Sequence, residues 1–462
     1  MEYLINLRYR IPKDMKRLFG TSFLICLIVH CFIFTNKLTN WDDVGNYFAN
    51  GWFISFGRWL LKSNLFSFGY SMPWLFGCVT SILLALAVCI VVSLLKIKSV
   101  FLRIICAFLM CSFPTITASF FYMNIGDSYI LALMLACLAA YITRQFRFGW
   151  IVGSILIACS MGIYQAYFAL AAGLLILSLL LDELYNDLMV KAFVVNCLQS
   201  ILALSLGVIQ YFLILKIALN FSGIHLSSYA GINSMGKLSV SNFISRFLGT
   251  YKLYWDFFTL KFLNIFDPWV KWLFMAMLFL LIFALFTQII NLKLVQKPFQ
   301  LTLVVILVLI FPFACAIQRL MAGEHVHWVM LYSFVLTPLA SLAFCEKIFS
   351  SQKAKNNTQI DRFQMNIANV LALICVVIAG VFVLTDNQAY FTSYTLLEQL
   401  KVYYTKLSER IEMTYGYNSE IPVAFIGDLN TQTSSILLST PKKLDNLTGL
   451  GTKYDYLSIY SA

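Results

Sequence analysis

The sequence predicts an all-α polytopic membrane protein with about eleven transmembrane helices, N-terminus inside and C-terminus outside. Three observations carry this prediction. The chain is 60% hydrophobic and only 12% charged, where a soluble domain carries about 25% charged residues. Its mean hydropathy is +0.81, and apolar runs of about 20 residues, the length that crosses about 30 Å of hydrocarbon, recur along it. Lysine and arginine concentrate in alternate connections between those runs, as the cytoplasmic side requires.

The runs fall near residues 18–36, 72–95, 101–121, 128–142, 148–163, 166–181, 193–219, 268–290, 300–318, 328–345 and 366–385. The fourth to sixth are short. A basic region precedes the first run, as in a signal peptide, but no small-residue cleavage site comes before "NKLTNWDD" and many runs follow. The first run is therefore read as a retained helix.

With the N-terminus inside, the inner connections hold Arg8, Arg10, Lys13, Lys16, Arg17, Lys96, Lys98, Arg103, Arg144, Arg147, Lys191, Lys293, Lys297, Lys347, Lys353, Lys355 and Arg362. The bias is weakest at 182–191, where Asp182, Glu183 and Asp187 outnumber Lys191. Outer connections are poor in cations. The net charge of +12 is thus topogenic, and it does not indicate nucleic-acid binding. All twelve cysteines fall inside apolar runs, so neither a disulfide framework nor a thiolate metal site is expected.

Three stretches stand on the outer face. In 37–71, Phe48, Trp52, Phe56, Trp59 and Leu60 recur at three- and four-residue steps, the pattern of an interfacial helix in the headgroup plane. Residues 221–267 open with Gly and Ser and turn amphipathic through "FISRFLGTYKLYWDFFTLKF". The tail begins with a helical pattern and continues through strand-like "IPVAFIGDL" and "SSILLST". The expected organisation is a bundle over 1–385 and a small α/β extracytoplasmic domain over 386–462.

The outer carboxylates are the first candidates for chemistry, because acids beside a membrane are costly and often functional. Asp42 and Asp43 follow the first span directly, at the depth where a lipid-linked sugar holds its reactive carbon. A carboxylate there could serve as general base on an acceptor hydroxyl, while a cation takes up the charge of the leaving lipid phosphate. The same two residues would equally cap the interfacial helix, and both readings stand.

Arg58 is a donor-phosphate ligand on one reading and a headgroup-seeking side chain on the other. A continuous helix would set it roughly 22 Å from Asp43, so sharing one phosphate requires a bend, for which Gly51 and Gly57 give room. Asp127 in "YMNIGDSYI" is either a substrate ligand or a helix cap. Tyr164 and Gln165 in "MGIYQAYF" could bond sugar hydroxyls, or satisfy backbone freed at a tight helical hairpin. In "QRLMAGEHVHW", Arg319 is a second phosphate candidate, and Glu324 and His325 are substrate candidates. His325 and His327 lack the further ligands that a metal site needs.

These motifs in this order, an acidic pair after the first span, "GRW" at Gly57–Trp59, "GD" at Gly126 and Asp127 and "IYQAY" at Ile163–Tyr167, resemble the glucosyltransferase family of serotype-converting proteins that decorate O-antigen (Gtr type II). The resemblance covers roughly residues 20–390. It implies a GT-C-like glycosyltransferase of the bacterial inner membrane whose site faces the periplasm. It implies transfer of a glucosyl unit from undecaprenyl-phosphate glucose to an O-antigen sugar of lipopolysaccharide, with inversion and an Asp general base at Asp42 or Asp43. The family's functional partners are a donor synthase and a flippase. The one cofactor it leaves open is a divalent cation, Mg or Mn.

Other classes fit less well. A transporter of lipid-linked glycans would show mid-membrane charges and duplicated halves. An O-antigen polymerase or ligase would rely on arginines in late outer loops, for which only Arg246 and Arg319 are present, and it leaves the acid pair unexplained.

Overall fold

The structure is a computed structural model, and it describes residues 12–38, 40, 43, 53–61, 71–185, 190–228, 240–322, 325–352, 359–424, 444 and 447. Asp42 and Glu324 lie outside the described residues. The described elements are helical, with no strand among them. They are α1 Lys13–Val29, α2 Cys31–Thr35, α3 Pro73–Leu94, α4 Val100–Cys111, α5 Pro114–Phe120, α6 Gly126–Gln145, α7 Gly149–Ile163, α8 Phe168–Tyr185, α9 Val190–Ser222, α10 Val240–Phe258, α11 Val270–Asn291, α12 Pro298–Cys315, α13 Gln318–Ala322, α14 Leu336–Gln352 and α15 Gln359–Glu412.

Eight helices are long and apolar enough to cross a membrane, or nine if α4 and α5, bent by 42° at their break, count as one. The remaining expected runs hold shorter helices, α7 of 15 residues and α1 of 17. Proline occupies the first position of α3, α5 and α12, where its missing N–H costs nothing and its fixed φ suits a helix start.

The core sits around α8 and α14. Their apolar windows, Gln165–Tyr185 and Tyr332–Ser350, are each 83% buried, against 22% for α9 and α11. With lipid as apolar as the side chains, the outer helices need no protein cover. α7 packs between α6 and α9, α1 against α3 and α4, and α14 against α15.

One end of the bundle carries the basic connections and is tied by charge. Lys96 meets Asp182 at 2.9 Å, and Arg144 pairs with the same carboxylate. Glu346 accepts a hydrogen bond from the Ser99 backbone N–H. Arg103 stands 3.8 Å from Asp14. Asp182 is thus matched by cations from two other connections, which accounts for the acid excess at 182–191.

Two of the stretches expected on the outer face differ from expectation. The expected interfacial helix is, in its described part, only a 3-10 turn, Phe53–Phe56. It stops because Gly57 adopts φ +74, a left-handed conformation that ends a helix. The helical pattern after 386 is not a separate element: α15 continues unbroken from the last span to Glu412. Residues 421–424 of the strand-like segment are irregular, and the other strand-like residues lie outside the described residues.

Candidate active site

At the end opposite the basic connections, Phe53–Leu61 forms a closed loop. Phe53 N–H donates to Leu61 O, Arg58 N–H to Phe53 O and Leu61 N–H to Arg58 O. Three anchors fix this loop to the bundle. Leu60 N–H donates to Gly162 O at 2.8 Å, the Gln165 side-chain amide donates to Phe56 O at 2.9 Å, and the Tyr211 hydroxyl donates to Gly57 O at 2.9 Å. A Cβ on Gly57 would come within 2.8 Å of both Gln165 Nε2 and Tyr211 Oη. Only glycine fits there, on conformation and on space.

This loop delivers Arg58 onto a tyrosine platform. Tyr129 and Tyr164 stack at 4.5 Å, and the guanidinium carbon lies 4.8 Å from the Tyr164 ring centre and 5.8 Å from that of Tyr129. Nη1 donates to the Tyr129 hydroxyl at 2.8 Å. Nε is buried without a partner, as are Trp59 Nε1 and the Tyr164 hydroxyl. No acidic side chain forms an ion pair with Arg58 among the described residues. A guanidinium held over aromatic rings is electrostatically favoured by their faces, and its buried Nε–H leaves one donor unanswered there.

Asp43 is fully buried. Its Oδ2 accepts from Met123 N–H at 3.0 Å and its Oδ1 from Asn124 N–H at 3.1 Å. Asn40 Oδ1 in turn accepts from Asp43 N–H at 3.0 Å. Asp43 thereby fastens the stretch after α2 to the turn between α5 and α6. Four residues past that turn's Met123, Asp127 sits buried in the first turn of α6 and accepts from Ser128 N–H at 2.7 Å. Its charge faces the positive end of the helix dipole.

The structure gathers Asp43, Arg58, Asp127, Tyr164 and Gln165 around the stretch Tyr122–Tyr129 and the α7–α8 junction. Gln165 works there as a clamp, with its amide nitrogen shared between Phe56 O and Tyr211 Oη. Arg319 belongs to another corner, on α13 against α10: its Nε lies 3.6 Å from where a Gly249 Cβ would stand, and Arg246 Nη1 donates to Leu320 O at 3.3 Å. His325 and His327 are exposed in the connection after α13. Among the described residues no group of three or more His, Cys, Asp or Glu could hold a metal ion. Sequence reasoning passed over Tyr129 and Tyr211, which look like ordinary span residues. The only cue was the glycine before Arg58, which marks a bend without saying what it bends against.

The family profile described as Glucosyl transferase GtrII matches residues 31–338. The chain belongs to this glucosyltransferase family. No match was found among curated proteins or solved structures. The GtrII match spans every candidate residue named from the sequence, from Asp42 to His325. It ends before α15 and begins one residue after His30.

Proposed function

We propose that this glucosyltransferase takes its glucosyl unit from a polyprenyl-phosphate sugar and passes it to an O-antigen glycan at the periplasmic face of the bacterial inner membrane. The observation that carries the reading is Arg58. A nucleotide-sugar donor would present its phosphates from the aqueous phase. A half-buried guanidinium on an aromatic platform, with its Nε buried and no ion-pair partner among the described residues, suits a phosphate that arrives from within the bilayer.

In the proposed step the acceptor hydroxyl oxygen attacks the anomeric carbon as that carbon's bond to the phosphate oxygen breaks. The hydroxyl proton passes to a carboxylate, and the polyprenyl phosphate departs with one more negative charge. Arg58 is positioned to answer that charge, which grows in the transition state. A single displacement inverts the anomeric centre.

Of the acidic pair, Asp43 has both oxygens engaged by backbone amides. We assign Asp43 the anchoring role and Asp42 the role of base. The described residues provide no donor set for a divalent cation, and no step is routed through one. Synthesis and flipping of the donor fall to the partner enzymes implied by the family resemblance.

The test is transfer of labelled glucose from polyprenyl-phosphate glucose to purified O-polysaccharide in proteoliposomes. The wild-type protein should transfer and Arg58→Ala at equal protein level should not. Transfer by Arg58→Ala at the wild-type rate would remove Arg58 from the site. Failure of the wild type with this and other lipid-linked hexoses would favour a polymerase or ligase.

A further inference from the structure

The helix pair α4–α5 is broken at Ser112–Phe113, just before Pro114 opens α5. Such a break frees backbone carbonyls that, at membrane depth, must find another partner. The Cys111 carbonyl finds His30. His30 is fully buried, and its Nε2 lies 2.8 Å from Cys111 O.

A carbonyl oxygen can only accept, so Nε2 carries the proton and Nδ1 is the acceptor. The Tyr390 hydroxyl, 2.7 Å from Nδ1, therefore donates to it. The Tyr390 oxygen is then free to accept from Thr117 Oγ1 at 3.1 Å. The chain runs in one direction, from Thr117 through Tyr390 and His30 to Cys111. It starts in α5, passes through α15 and the end of α1, and closes on the last residue of α4. Both sides of the break are held.

Beyond Thr117, α5 ends at Phe120, and the turn that follows supplies the Met123 and Asn124 amides that grip Asp43. Phe121 at the start of that turn lies against the Tyr390 ring at 5.6 Å. α5 is buried throughout and is also tied to the opposite corner by Thr115 Oγ1 donating to Trp328 O at 2.8 Å. It has little freedom except about the break itself.

We propose that Tyr390 and His30, both outside the residues that the family profile matches, are positioning residues for transfer. By locking the α4–α5 break they set the turn that fixes Asp43. The proposal rests on the first-loop acid pair serving the transfer step, as in the proposed function. The hydroxyl of Tyr390 is the link, since its ring packing against Phe121 and His30 survives in phenylalanine.

The experiment pairs kinetics with hydrogen–deuterium exchange on the full chain in nanodiscs, comparing wild type, Tyr390→Phe and Thr117→Val. We expect Tyr390→Phe to lower kcat per folded protein about ten-fold, since small misplacements of reacting groups are costly, with the donor KM within two-fold of wild type. Thr117→Val should act in the same direction. Amide exchange in the peptide over residues 121–130 should quicken in both variants, and exchange at the basic end of α6 should not.

An unchanged kcat per folded protein with unchanged exchange at 121–130 overturns the proposal. A fall confined to the folded fraction, with both parameters normal in the protein that remains, also overturns it, because it shows a purely structural tie. If the wild type transfers nothing, exchange at 121–130 alone decides the positioning claim, and the failure lies with the proposed reaction.

Discussion

Arg58 carries a full charge where the surrounding groups are aromatic rings and hydroxyls, and the identity of that cation makes a sharp prediction. Lysine would keep the charge but lose the planar stack and the Nε–H. Arg58→Lys is therefore expected to raise the donor KM by roughly ten-fold, about 1.4 kcal/mol, while Arg58→Ala abolishes transfer. Initial rates against donor concentration check this, and an unaltered KM in Arg58→Lys would mean that the stacking geometry is not used. The acidic pair should separate by function. Asp43→Asn sets an amide nitrogen against one of the two backbone N–H groups and should cost about 1–3 kcal/mol of stability, read as a lower unfolding temperature. Asp42→Asn should leave that temperature alone and reduce transfer by about 10²–10⁴. The residue types of this site were legible in the sequence, but their division of labour was not. Asp42 and Asp43 are adjacent and alike as letters; nothing in the sequence announces that Asp43 is held by the amides of Met123 and Asn124, eighty positions away.

The elements show a similar limit. The apolar runs were visible because a helix in lipid must be apolar for its whole crossing, and each expected position holds a helix. The helical reading through Leu60 failed at Gly57, because periodicity records which residues are apolar and not where the backbone turns over. That turn can be tested by comparing two glycines. Gly57 and Gly223 both have positive φ, +74 and +65, but a Cβ meets two atoms at 2.8 Å at Gly57 and nothing within 4 Å at Gly223. Alanine at either site carries the conformational cost of about 1–2 kcal/mol. Only Gly57→Ala also displaces Gln165 and Tyr211, and with them the loop that holds Arg58. A several-fold rise in donor KM is expected for Gly57→Ala and none for Gly223→Ala. Equal effects would show that strain alone matters. Gly162→Ala should resemble Gly57→Ala, since its Cβ would fall 2.5 Å from the Trp59 ring.

At the scale of the whole molecule the question is sidedness, which turns on whether the short helices cross. At about 1.5 Å per residue α7 is about 22 Å long, less than the hydrocarbon thickness of about 30 Å. Its two ends nevertheless have opposite company. It begins just after Arg144, whose partner Asp182 also pairs with Lys96, so the ends of α3, α6 and α8 share one face. It ends beside Trp59 and the loop that holds Arg58. A helix that joins the basic face to the candidate site crosses the bundle, and local thinning or the Tyr164 turn makes up its length. The same argument applies to α1, whose first turn holds Asp14 beside Arg103 and which leads through α2 to the stretch that holds Asp43. If α1, α7 and the broken α4–α5 pair each cross in addition to the eight long helices, the number of crossings is odd and α15 emerges on the side of the site. Alkaline phosphatase fused after Gly416 should therefore be active in the periplasm, and the same reporter inserted between Arg147 and Phe148 should be inactive. Fluorescent-protein fusions at these points should give the reverse. Activity at 147–148 together with silence at 416 would place Arg58 and the acidic pair in the cytoplasm, where nucleotide sugars are available, and the lipid-phosphate donor would lose its main support.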